Sequence, residues 1–96
     1  RISQHTIYNL QSYIEEMCVQ IILPRMTNPF EILVTVEYSE EKDNADVVIR
    51  YNGENFNPLL TDNELSLVLA KKATKEIVHS YDSEQKLANI LKARIY

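Results

Sequence analysis

Gly53 is the only glycine in this chain of 96 residues, and it sits in the run Tyr51-Asn52-Gly53-Glu54-Asn55-Phe56. Average usage would supply about seven. Backbone that turns through positive φ, or that approaches a phosphate closely enough to aim several N–H groups at it, generally takes glycine at more than one position. A glycine-rich phosphate cradle is therefore excluded.

The charge balance narrows the classes further. Ten Lys and Arg against fourteen Asp and Glu leave a net charge of −4, and the basic residues are scattered along the chain. That pattern argues against a nucleic-acid partner. The longest purely apolar run, Leu67 to Ala70, is far short of the roughly 20 residues that span a bilayer. No basic-then-apolar leader opens the chain, so the expectation is a cytoplasmic domain without membrane insertion. Cys18 is the single cysteine and has no internal disulfide partner. Arg1 rather than Met at the start suggests one domain, residues 1–96, excised from a longer protein.

Five elements are expected. Between Thr6 and Leu23, the residues Ile7, Leu10, Ile14, Met17, Cys18, Ile21 and Ile22 recur at steps of three and four, which predicts an amphipathic helix ended by Pro24. Glu31 to Tyr38 alternates, with Ile32, Val34, Val36 and Tyr38 on one face, and Val47, Ile49 and Tyr51 continue the pattern in a second strand. The charged connection Ser39 to Asp46 has no glycine to tighten it, yet the two strands are expected to pair antiparallel. Thr61-Asp62-Asn63-Glu64 matches a capping box, followed by a second helix with Leu65, Val68, Leu69, Ala73 and Ile77 inward. A last strand runs from about Lys86 to Tyr96, burying Leu87, Leu91, Ala93 and Ile95.

The order α-β-β-α-β, with one apolar face per element, predicts an α+β fold. Its expected form is a two-layer sandwich with two helices on one face of a small, mainly antiparallel sheet. Three strands leave two open edges and a thin core, so a missing N-terminal segment or a partner chain is expected to complete the sheet.

Three segments in this order carry a resemblance: Glu15-Glu16-Met17-Cys18-Val19-Gln20, the hairpin leading into Tyr51 to Phe56, and the helix opening Glu64-Leu65-Ser66-Leu67-Val68-Leu69-Ala70. Together they resemble the histidine-kinase-like ATPase family, which includes sensor histidine kinases and anti-sigma-factor serine kinases. The resemblance implies that Glu16 stands where the family places a catalytic Glu. It also implies that Asn52 and Gly53 belong to a nucleotide pocket, and that ATP and Mg²⁺ are the cofactors if the site is retained. The departures all oppose that chemistry. Gln20 stands where the family has a Mg²⁺-ligating Asn, and its extra methylene displaces the oxygen from an octahedron with bonds of about 2.1 Å. Tyr51 replaces the adenine-binding Asp, and Asn55 replaces the second glycine. Glu64 and Ser66 replace the glycines that meet the phosphates, and a carboxylate at a helix N-terminus repels them. The stretch from Phe56 to Glu64 is short for a lid.

Other constellations are poor in chemistry. No Cys/His cluster has metal-ligand spacing, Cys18 lies on the apolar face of the first helix, and His79 is expected near the C-terminus of the second. Lys71, Lys72 and Lys75 read as that helix's solvent face, and no Ser has a partnered His and Asp. The expectation is a divergent domain without productive ATP turnover and without a resident cofactor or metal, acting as a regulatory or protein-interaction module. The alternative is an active ATP-binding serine or histidine kinase of the anti-sigma type. A third reading is an unrelated α+β domain with the same order of elements. A protein partner or self-association is expected through a sheet edge or through the face of the first helix, with Tyr8 and Tyr13 as the contact residues.

Overall fold

The computed structural model describes residues 2–96. Helix α1 spans Gln4–Ile14 and runs on without a break into a π-helical segment, Glu15–Ile22, and a 3-10 turn, Leu23–Arg25. Ser3 caps α1, its hydroxyl accepting from the Thr6 N–H. The wider winding is visible where the Leu23 N–H reaches the Cys18 carbonyl, five residues back. Leu10, Tyr13, Met17, Cys18, Ile21 and Ile22 form one buried stripe. Pro24 has no N–H to offer the carbonyls behind it, and the Gln20 carbonyl accepts instead from the Asn63 side-chain amide at 3.3 Å.

Four strands follow: β1 Ile32–Ser39, β2 Asn44–Tyr51, β3 Thr74–Tyr81 and β4 Asn89–Ile95. They form one antiparallel sheet in the order β1-β2-β4-β3. The β1–β2 connection closes without glycine because Asp43 itself takes positive φ, 49°, a conformation that Asp tolerates better than most residues. Its side chain then serves α1. Asp43 Oδ1 accepts from the Ser3 N–H at 2.9 Å and lies 3.1 Å from the Thr6 hydroxyl. The bond from the Ser3 backbone is the main cause holding the Asp43 carboxyl below the usual range. The resulting stability is present above the ordinary carboxylate range and is lost as pH falls through the folded value.

Helix α2, Glu64–Lys72, lies between β2 and β3 in sequence. The core joins the helical stripe with Ala70 and Ala73 and with alternate residues of the two central strands: Ala45, Val47, Ile49 and Tyr51 from β2, and Leu91, Ala93 and Ile95 from β4. The fold is thus α+β, with helices and a four-stranded antiparallel sheet.

Several expectations change. The second helix stops at Lys72, and residues 74–81, expected to continue it through Ile77, form β3. Thr74, Ile77, Val78 and Tyr81 are β-branched or aromatic and suit a pleated surface. The sheet accordingly has four strands rather than three, and His79 and Lys75 belong to a strand, not to a helix. The inward face of α2 is also different: Ser66 and Ala70 are buried, whereas Leu65 and Val68 are exposed. The N-cap is Asn63, whose Oδ1 accepts from the Ser66 N–H, rather than Thr61. Leu87 precedes β4, and on β1 the core-side residues Val34 and Tyr38 remain exposed.

Candidate functional site

The Tyr51–Phe56 segment leaves the end of β2 and forms one wall of an open cleft of about 380 Å³, faced by Arg25, Met26 and Pro29. Tyr51, Asn52, Glu54 and Phe56 of this wall are tied down by hydrogen bonds. Asn52 is a latch: its Oδ1 accepts from the Glu31 N–H at 2.9 Å, its Nδ2 donates to the Pro29 carbonyl at 3.1 Å, and its own N–H reaches the Glu31 carbonyl at 3.2 Å. The segment before β1 is thereby pinned to the end of β2. Gly53 follows at φ 98°, the left-handed region that an L side chain enters at a cost of about 1–2 kcal/mol. A Cβ there would meet nothing within 4 Å. The glycine therefore answers a turn rather than a close approach.

Tyr51 closes the loop from below. Its ring is buried, and its hydroxyl donates to the Phe56 carbonyl at 2.6 Å. Burial pushes the phenol pKa upward, with Cys18 adding to the effect. Asn89 acts beside it on β4. This fully buried side chain donates to the Glu54 carbonyl at 2.9 Å and accepts from the Phe56 N–H at 3.0 Å, and its Oδ1 lies 3.0 Å from His79 Nε2. The Arg25 guanidinium stands 4.6 Å from the centre of the Phe56 ring, a cation–π contact across the cleft mouth.

Of the sequence-derived site residues, Asn52 and Gly53 line the cleft together. Glu16 does not join them. Its Oε1 accepts from the Ser66 hydroxyl at 2.9 Å, which ties the π-helical segment to the first turn of α2. Tyr8 is 69% exposed on α1. Tyr13 is corrected: it is fully buried, because it shares the phase of Leu10 and Met17, and an inward residue cannot present a contact surface. Its hydroxyl has no hydrogen-bond partner among the described residues.

Asn89, Arg25 and Phe56 were not expected in the site. Asn89 carried a readable signal, since it falls in register with the inward Leu91, Ala93 and Ile95. Arg25 and Phe56 carried none, because their pairing depends on how the 3-10 turn meets the loop. Among the described residues, no group of three His, Cys, Asp or Glu side chains could hold a metal ion, and no helix is long and apolar enough to cross a membrane. No protein family, curated protein or solved structure matches the chain.

Proposed function

We propose that this chain is a divergent histidine-kinase-like ATPase domain without productive ATP turnover, which works in the cytoplasm as a regulatory or protein-interaction module. In this reading the fold is a two-layer sandwich with both helices on one face of the sheet. The observation that carries the loss of turnover is the Tyr51–Phe56 hydrogen bond of 2.6 Å. Where the family would place an acceptor for adenine, a buried phenol is spent on holding its own loop. Two further features support the reading: Glu16 is bonded to Ser66 instead of facing the cleft, and Asn52 spends both side-chain atoms on the Pro29–Glu31 segment. Tyr8 supplies an exposed aromatic for contact on α1.

Calorimetric titration with ATP·Mg²⁺ tests the proposal. Binding weaker than about 1 mM, a standard free energy of only about −4 kcal/mol, is expected, with no hydrolysis. Micromolar binding would overturn it in favour of an active anti-sigma-type serine or histidine kinase. The open cleft beside Asn52 and Gly53 favours that second reading, because its volume of about 380 Å³ lies within the range of ligand pockets.

A further inference from the structure

Helix α2 is inverted relative to its own sequence. It buries Ser66 and Ala70 while leaving Leu65 71% and Val68 50% exposed. Residues 65, 68, 69 and 72 share one stripe at helical spacing, so exposed Leu65 and Val68, with half-buried Leu69 at the edge, form an outward ridge that continues along the stem of Lys72. An exposed apolar stripe of this kind marks a contact surface.

The charges beside the stripe say what fits it. Glu64 opens the helix and Lys71 and Lys72 close it. Glu64 and Lys71, seven residues apart, lie on the same flank, both exposed and without an ion pair to another described residue. We propose that a second copy of this chain docks on the outer face of α2, the two helices packing antiparallel about a two-fold axis level with Leu67 and Val68. That axis brings Leu65 of each copy against Leu69 of the other and sets Glu64 level with Lys71 of the second copy, twice. It also opposes the two helix dipoles favourably. Parallel packing about a two-fold axis would put the two Glu64–Lys71 flanks on opposite sides of the contact, where they do not meet. An isologous contact needs a self-complementary patch, and this helix carries one.

The inference rests on the reading of the chain as a protein-interaction module and adds to the α1 surface at Tyr8 a second one, on α2, with a named partner. A helix of nine residues is only about 14 Å long. The contact falls below the ~1,200 Å² of stable interfaces, so the dimer is weak and reversible.

Sedimentation equilibrium of the chain from about 10 µM to about 1 mM reads the association directly. A monomer–dimer equilibrium is expected, abolished by Val68→Glu with an unchanged circular dichroism spectrum. Glu64→Lys alone and Lys71→Glu alone should each weaken it roughly tenfold, because each reversal turns two attractive pairs into repulsive ones. Mixing these two variants should restore wild-type association as a heterodimer. A chain that stays monomeric throughout the range, a dimer indifferent to Val68→Glu, or a mixture that associates no better than its components would overturn the proposal. None of these outcomes alters the ATP titration, so the failure of this contact is separable from the failure of the nucleotide reading.

Discussion

The Tyr51 hydroxyl and the Phe56 carbonyl, five residues apart, are joined by a hydrogen bond of 2.6 Å that turns a strand end into a closed loop. Tyr51→Phe keeps the ring and removes this bond, at an expected cost of about 1 kcal/mol. Tyr51→Asp puts an unpaired carboxylate in the same buried place and is expected to unfold the chain. Urea denaturation of both variants checks the contrast; a Tyr51→Asp protein as stable as Tyr51→Phe would show that the site is wetter than its burial implies.

Tyr13 behaves differently because its hydroxyl has no partner among the described residues. A buried phenol whose oxygen is unsatisfied carries a desolvation cost without the return of a bond. Tyr13→Phe is therefore expected to stabilise the fold by about 1 kcal/mol, whereas Tyr13→Ala opens a cavity and costs about 3–5 kcal/mol. A lower urea midpoint for Tyr13→Phe than for the parent would contradict the first expectation.

Asn89 bridges Glu54, Phe56 and His79 from one side chain. Asn89→Ala leaves the Glu54 carbonyl and the Phe56 N–H without these partners, and a loss of about 2–4 kcal/mol is expected. Amide exchange should show the loss concentrated at residues 52–57. Uniform destabilisation with unchanged protection of that loop would argue that Asn89 serves packing alone.

Stability should fall on the alkaline side. Burial pushes the Cys18 thiol up to about 11 and raises the Tyr13 and Tyr51 phenols as well. In the unfolded chain these groups release their protons first, so above pH about 9 the unfolded state binds fewer protons and is favoured. The Cys18 contribution is full below about 9 and is lost as pH rises through about 11, with the tyrosines adding to the loss above about 10. Urea midpoints at pH 8, 9, 10 and 11 measure this, and Cys18→Ala should flatten the part of the curve between 9 and 11. A midpoint constant across that range would refute it.

The central strands were legible because alternation there had only one solution: Val47, Ile49 and Tyr51 face inward opposite Ala93, Leu91 and Asn89. The Asn52–Gly53 turn was legible for the same local reason. Strand β3 was hidden. Ala73 and Ile77 fit helical spacing, and no glycine or proline separates α2 from β3; the helix ends in a turn in which the Ala73 N–H reaches the Ala70 carbonyl. The facing of α2 was hidden too, since hydrophobicity favoured Leu65 and Val68. Its orientation follows from contacts distant in sequence, the Ser66–Glu16 bond and the capping Asn63 bound to the Gln20 carbonyl. Tyr13, by contrast, could have been read as buried from its step to Leu10 and Met17.

Strand β1 is hydrogen-bonded to β2 alone, and its core-side Val34 and Tyr38 keep 37% and 48% of their surface in water. Its detachment breaks one ladder and the Asn52 latch but leaves β2, β4 and β3 joined. The sheet therefore has two outer strands, β1 and β3, each held by one ladder around the central pair β2 and β4, and the outer strands are expected to be the units of least protection. Amide hydrogens of β1 and β3 are expected to exchange by local opening ahead of those of β2 and β4.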